Sequence, residues 1–142
     1  MRVKIVRIDK TLPLPAYQTK GSVAFDLYVR SDAHIPAQEI SLIPTNIIIQ
    51  APVGYMLVIA SRSSTPTKKG LMIPHGIGII DRDYCGPDDE LKLQVYNFTH
   101  RTVFVKRGER IAQGILVKVG KAEFSEVESI AHTSRGGYGS TG

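Results

Sequence analysis

Short stretches in which apolar and polar residues alternate recur along the whole chain. Their apolar members are Val3, Ile5 and Ile8; Leu91, Leu93 and Val95; Val103 and Val105; and Ile115, Val117 and Val119. A period of two is typical of strands with one buried face. Residues 47–49 and 56–59 are continuously apolar, which indicates strands buried on both faces, inside a barrel or against a neighbouring subunit. Glycine and proline turns separate these runs, so the pattern predicts an all-β sandwich or barrel.

Three segments depart from this pattern. Residues 64–70 read S-T-P-T-K-K-G, with a hydroxyl that can cap, a proline that can open a helical turn and a glycine that can close it. We therefore predict one short helix near residues 65–70. Residues 121–130 alternate weakly and are predicted as an edge strand. From residue 135 the chain is glycine-rich without aliphatic residues, which predicts a single β-barrel domain over 1–134 and a flexible tail over 135–142.

Composition narrows the classes of protein that the sequence allows. The 142 residues suit one domain, and 18 Lys+Arg against 13 Asp+Glu give a charge of +5. No apolar run approaches the roughly 18 residues that cross a bilayer, and the N-terminus lacks the features of a signal peptide, so we expect no membrane partner. One cysteine and four histidines without zinc spacing indicate a reducing, cytoplasmic location and no structural metal. Aromatic residues make up 7% and include no Trp, which offers little for nucleic-acid stacking.

Two acidic positions are candidates for chemistry. Five acidic residues lie between Asp81 and Glu90, where turn formation is the ordinary explanation. The alternative is a sugar pocket, in which a carboxylate orients a water and the ring of Tyr84 lies against a furanose. Asp26 lies between Phe25 and Leu27, so alternation turns its side chain to the opposite face from theirs, and a solvated strand position explains it equally well.

Three further segments could bind an anion. Arg62, Ser63 and Ser64 precede the predicted helix; capping explains the serines but leaves the arginine without a role. The basic run 101–110 is ordinarily a solvated hairpin. The tail contains G-x-G-x-x-G, but it has no strand before it and no helix after it, which excludes a dinucleotide fold. Its backbone N–H groups could still donate to phosphate, and a disordered terminus is the alternative.

The order of these segments resembles the five motifs of the trimeric dUTP diphosphatases, over nearly the whole chain. The matching segments are Ala24-Phe-Asp26-Leu27, Ser61-Arg62-Ser63-Ser64, Gly78-Ile-Ile-Asp81-Arg-Asp-Tyr84-Cys-Gly86, Gly108-Glu-Arg-Ile-Ala-Gln113 and Gly136-Gly-Tyr-Gly-Ser-Thr-Gly142. The resemblance implies a jelly-roll-like β-barrel, a homotrimer with active sites shared between subunits, and a C-terminal tail that covers them. It also implies Mg²⁺-dependent hydrolysis of dUTP to dUMP and pyrophosphate, which lowers dUTP and supplies dUMP for thymidylate synthesis.

The resemblance further implies a role for each matched residue. Asp81 would be the general base for the water that attacks the α-phosphorus, Tyr84 would lie under the deoxyribose, and Asp26 would hold Mg²⁺ through water. Phosphates would be bound by Arg62, Ser63, Ser64 and Gln113. The hairpin from His75 to Ile80, including Gly78, would read uracil. In the tail, Arg135, Gly139, Ser140 and Thr141 would close on the γ-phosphate, and Tyr138 would stack on the base.

The sequence also departs from the family pattern. Ser64 stands where glycine is usual, His75 where asparagine often lines the uracil site, and Arg135 lies about two residues closer to the glycine pair than is usual. One rival is dCTP deaminase of the same superfamily, but its catalytic glutamate is replaced by Gln94, and an amide cannot shuttle a proton. The other rival is a catalytically silent β-trimer that binds nucleotides or a regulatory partner.

Overall fold

The computed structural model describes residues 1–134, 136 and 137, and the all-β prediction is confirmed within them. One helix is assigned there, α1 (Thr65–Lys69), together with eleven strands. The strands are β1 (Lys4–Arg7), β2 (Phe25–Leu27), β3 (Ala33–Ile35), β4 (Ile40–Pro44), β5 (Ile47–Gln50), β6 (Tyr55–Ser61), β7 (Leu71–Met72), β8 (Gly78–Ile80), β9 (Lys92–Asn97), β10 (Val103–Val105) and β11 (Ala112–Lys118).

All strand pairs are antiparallel, and they form four small sheets. The largest has the order β2-β11-β6-β8, and a second has the order β4-β9-β7. Strand β1 pairs with β5, and β3 pairs with β10. Aliphatic side chains from all four sheets meet in one core, whose fully buried members include Leu27, Ile35, Ile43, Leu57, Leu93 and Val105. Short strands that contribute alternate residues to a shared interior account for the period of two in the sequence.

The two continuously apolar runs are strands within the chain, as predicted. All three residues 47–49 of β5 are buried, and residues 57–59 of β6 are buried as well. Strand β5 pairs with β1, and β6 lies between β11 and β8. Burial of residues 47–49 is therefore achieved inside one chain and does not call for a neighbouring subunit.

The short helix is confirmed, but its expected cap is not. Gly70 ends α1 at φ 67°, in the left-handed region that favours glycine, and its N–H donates to the carbonyl of Pro66 at 2.9 Å. Ser64 precedes the helix with φ −86° and ψ −11°, and its side chain makes no capping hydrogen bond in the described structure. This backbone conformation differs from the extended one that turns an N-cap side chain back toward the helix.

The edge strand predicted over 121–130 is wrong, because this segment pairs with no strand in the described chain. Its apolar side chains instead face solvent, with Phe124 95% and Ile130 78% exposed. Among the described residues, the five-residue α1 is far too short to cross a membrane. Of the predicted tail, Arg135 and residues 138–142 lie outside the described residues.

Candidate active site

Strand β11 brings together the second, fourth and first of the sequence motifs. Its residue Gln113 lies opposite Asp26 of β2 on one side and opposite Ala60 of β6 on the other. Arg62 follows directly after β6, and its backbone N–H donates to the carbonyl of Ile111 at 3.3 Å. Residues that are far apart in the sequence therefore meet at the start of β11.

At this point Asp26 is buried between two arginines. Its side chain is 7% exposed; Oδ1 forms an ion pair with Nε of Arg62 at 2.9 Å, and Oδ2 accepts from Nη1 of Arg110 at 3.0 Å. Nη1 of Arg62 also donates to the carbonyl of Arg110 at 3.2 Å. A buried carboxylate requires such partners, so the alternative of a solvated strand position is excluded. We call Asp26, Arg62 and Arg110 the arginine cluster; it carries two positive charges against one negative.

The other predicted phosphate-binding residues lie beside the arginine cluster. Gln113 donates from Nε2 to the carbonyl of Ser61 at 3.1 Å, which fixes its amide. Ser63 is exposed and Ser64 is half-buried, in the turn between β6 and α1. The hydroxyl of Thr65 donates to the carbonyl of Ile111 at 2.7 Å and fastens this turn to the chain that enters β11. An anion that approaches the turn would therefore meet hydroxyl, amide and guanidinium donors together.

Arg110 was not singled out by its sequence. It belongs to a run of basic residues, and a solvated hairpin explains such a run in general. The available signal was its place three residues before Gln113 in a motif that already held a candidate. Its partner Asp26 lies 84 positions earlier in the chain, so no local pattern connects the two.

The hairpin around β8 contains the residues expected to bind a nucleobase. His75, Gly78 and Ile80 line one hollow of about 400 Å³, together with Ile59 and Gln94. Nδ1 of His75 lies 2.6 Å from the carbonyl of Ile77. A Cβ at position 78 would lie 3.4 Å from Cβ of Ile59 and 3.8 Å from Cε1 of His75. Glycine therefore keeps space free between the histidine ring and β6.

Asp81 follows β8 immediately, on the wall of a larger hollow of about 740 Å³. Tyr55, Arg82 and Lys121 line the same hollow, and the side chain of Asp81 is exposed to it. Tyr84 is 41% exposed, and its backbone N–H donates to the carbonyl of Asp81 at 3.3 Å. The carboxylate and the phenol ring are thus carried on one tight turn.

Within one chain, Asp81 and the arginine cluster occupy opposite ends of β6. Ile80 lies opposite Leu57 near the start of β6, whereas Arg62 follows its last residue. Five residues separate positions 57 and 62, which corresponds to roughly 16 Å of strand. The chain thus carries two separate groups of candidate residues, one at each end of β6, which we call the two half-sites.

Asp26 retains the chemistry to hold a hydrated magnesium ion. Mg²⁺ keeps several waters and is commonly held through one or two carboxylates and substrate phosphates. Each oxygen of Asp26 faces one arginine, and a carboxylate oxygen has a second lone pair for a metal-bound water. Among the described residues, no three His, Cys, Asp or Glu side chains lie close enough to hold a metal by themselves.

Known proteins are similar to this chain over nearly its whole length. The family model for dUTPase matches residues 10–142. A deoxyuridine 5'-triphosphate nucleotidohydrolase of Dictyoglomus turgidum is 42% identical over 100% of this chain and 99% of its own length.

Solved structures of dUTPases have the same fold as this chain. The crystal structure of the dUTPase from Streptococcus mutans matches with a TM-score of 0.79 and 32% identity, over 86% of this chain and 98% of that one. A mutant dUTPase from phage phi11 of S. aureus, described with a structural Mg(II) ion, matches with a TM-score of 0.83 over 93% of this chain and 100% of that one; at 20% identity it supports the fold alone. The predicted jelly-roll-like β fold is confirmed by these matches. With a family model over nearly its full length and a full-length relative at 42% identity, the chain belongs to the dUTPase family.

Proposed function

We propose that this protein hydrolyses dUTP to dUMP and pyrophosphate, which lowers dUTP and supplies dUMP for thymidylate synthesis. The observation that carries the proposal is the pair of half-sites at the ends of β6: an exposed carboxylate directly after the strand that lines a hollow of about 400 Å³, and a guanidinium cluster with amide and hydroxyl donors. Family membership and the names of full-length relatives support the same substrate.

Asp81 is the proposed general base. Its carboxylate accepts a proton from the water that attacks the α-phosphorus, while the bond to the bridging oxygen breaks and pyrophosphate leaves. Asp81 also contacts the 3′-hydroxyl of the sugar. The ring of Tyr84, on the same turn, lies against the deoxyribose and leaves no room for a 2′-hydroxyl. His75, Gly78 and Ile80 bind the uracil in the hollow that they line.

Arg62, Ser63, Ser64 and Gln113 bind the phosphate chain. Asp26 would hold a bound Mg²⁺ through its waters, and the ion would supply positive charge to the phosphates. A triphosphate carries a charge of about −4, so several fixed donors are needed before a water can approach phosphorus. Donors that are held by ion pairs and backbone bonds, as here, cost little reorganisation during the reaction.

We infer that three chains assemble and share these sites, so that Asp81 of one subunit meets the arginine cluster of another. The separation of the half-sites along β6 supports this assembly. The exposed Phe124, Val127 and Ile130 support it as well, because three large apolar side chains exposed within seven residues are candidates for burial against another subunit. The threefold symmetry itself rests on the resemblance to trimeric relatives.

The tail residues Arg135, Tyr138, Gly139, Ser140 and Thr141 lie outside the described residues, and their role rests on the resemblance alone. We propose that they close over the γ-phosphate and the base. Deletion of residues 135–142 should then abolish turnover. Arg135→Ala tests its shifted spacing separately: if only the deletion is inactive, glycine backbone and hydroxyls form the clamp.

The direct test is incubation with each deoxynucleoside triphosphate, and with UTP, in the presence of Mg²⁺. We expect dUMP and pyrophosphate from dUTP, and a much lower kcat/KM for UTP and dCTP. Comparable rates for dUTP and UTP would contradict the role of Tyr84. Ammonia release from dCTP would point to deamination, and binding without hydrolysis would point to a silent β-trimer.

A further inference from the structure

Arg110 contacts the phosphate-binding apparatus at two points, although the proposed function gives it no role. Its Nη1 donates to Oδ2 of Asp26 at 3.0 Å, while Arg62 occupies Oδ1 at 2.9 Å. Its backbone carbonyl accepts from Nη1 of Arg62 at 3.2 Å. Arg110 therefore shares a carboxylate with Arg62 and also contacts its guanidinium directly.

The shared carboxylate limits how Arg62 can bind it. A guanidinium and a carboxylate prefer a bidentate arrangement, in which two parallel N–H groups meet both oxygens. Here the contact of Arg62 with Asp26 runs from Nε to Oδ1, while Arg110 donates to Oδ2. Without Arg110, Arg62 could rotate into bidentate pairing with Asp26, and donors now free for an anion would be turned inward.

The hydrogen bond from Nη1 of Arg62 to the backbone carbonyl of Arg110 also restricts the orientation of the Arg62 side chain. Arginine loses considerable rotamer freedom when its side chain is fixed, so several contacts are needed to hold one orientation. Nε and Nη1 of Arg62 are engaged by two different groups, and its side chain remains 32% exposed. The contacts with Asp26 and Arg110 thus fix one edge of the guanidinium and leave another edge accessible.

We propose that Arg110 is a positioning residue for triphosphate binding: it occupies Oδ2 of Asp26 and so holds Arg62 with its remaining N–H groups facing the phosphates. The identity of the ligand as dUTP rests on the proposed function, whereas the effect of Arg110 on the orientation of Arg62 does not. Two other roles for Arg110 would give different results in a binding experiment: a direct contact between Arg110 and phosphate, or a purely structural ion pair.

A double-mutant cycle separates these roles. Arg62→Gln, Arg110→Gln and the double variant are compared with wild type for binding of inorganic triphosphate by calorimetry, and for kcat and KM with dUTP. We expect Arg110→Gln to weaken triphosphate binding roughly tenfold, and the double variant to bind no more weakly than Arg62→Gln alone. Arg110→Lys, which keeps a cation at Oδ2, should recover most of the affinity.

The matched control is Arg107→Gln, three residues away on the same turn. Arg107 pairs with Asp9 at 2.6 Å, outside the arginine cluster, so its loss should leave triphosphate affinity unchanged. Additive losses in the double variant would overturn the proposal in favour of direct phosphate contact. Unchanged affinity in Arg110→Gln, or no triphosphate binding by wild type, would also overturn it. If wild type binds triphosphate with the expected coupling but does not hydrolyse dUTP, the proposed function fails and the positioning role stands.

Discussion

Two aspartates show how burial and neighbouring groups determine the role of a carboxylate in this protein. Asp26 is buried and forms ion pairs with two arginines, so its charge is compensated inside the fold. Asp9 lies near the surface, where the Arg107 guanidinium and then the hydroxyl and N–H of Thr11 hold the pKa of its carboxyl well below the usual range. The candidate base Asp81 has neither kind of partner among the described ion pairs, so its carboxylate is open to a water.

Asp81→Asn should keep the fold and dUTP binding while turnover falls by roughly 10² or more, because an amide cannot accept the proton of the attacking water. The measurement is kcat for dUTP beside the thermal midpoint of each protein. Asp88→Asn, an exposed change in the same loop, is the control and should behave like wild type. Near-normal turnover of the Asp81 variant would remove this residue from the mechanism.

Asp9→Asn should change the acid limb of the stability curve. The pKa of Asp9 is depressed in the folded state, so its contribution is present above the unfolded pKa of about 4 and is lost as pH falls through the folded value. The difference in thermal midpoint between wild type and variant should therefore be positive at neutral pH and shrink below pH of about 4. High salt should reduce it, since the pair is exposed. A difference that grows on acidification would contradict this assignment.

At the scale of elements, local sequence patterns predicted most of the strands. They could not predict contacts between residues that are far apart in the chain. Alternation identified β9 and β10, and Pro66 with Gly70 identified α1, because these signals lie within a few neighbouring residues. The strand predicted over 121–130 failed because alternation cannot reveal whether a partner strand exists. The resemblance alone suggested the hairpin residues His75, Gly78 and Ile80 as base-binding candidates, and that role stays a prediction. The pairing of Asp26 with Arg110 requires β2 and β11 to be neighbours, which no local pattern reveals.

Gly114→Ala tests the tightest approach within the largest sheet. A Cβ at this position of β11 would lie 2.6 Å from Cε2 and 2.7 Å from Cζ of Phe25, a buried ring. Overpacking of this kind costs about 1–3 kcal/mol, so the free energy of unfolding should fall by that amount. Gly120→Ala is the control, because, its two chain neighbours aside, no atom of residues 1–134, 136 or 137 lies within 4 Å of its added Cβ. Equal stability of the two variants in denaturant titration would show that the ring moves without cost.

At the scale of the whole molecule, exposed apolar groups and divided half-sites point to assembly. The side chains of Phe124, Val127 and Ile130 have little contact within their own chain, and an apolar hollow of about 140 Å³ lined by Val3 and Ile5 is open at the surface. Light scattering should give three times the chain mass of 15.6 kDa. A monomeric mass at micromolar concentration would contradict shared sites.

Under the proposed assembly, the two half-sites at opposite ends of β6 come from different subunits, so two defective proteins should repair each other. Asp81→Asn chains still carry an intact arginine cluster, and Arg62→Gln chains still carry Asp81. In trimers formed at random from equal amounts of both, about a quarter of the sites would receive the intact half from each chain, so activity should return to about a quarter of wild type. Mixing Asp81→Asn with the Asp81→Asn/Arg62→Gln double variant should restore nothing. If activity returns in the first mixture alone, the active site is formed between subunits, and a single chain does not contain a complete one.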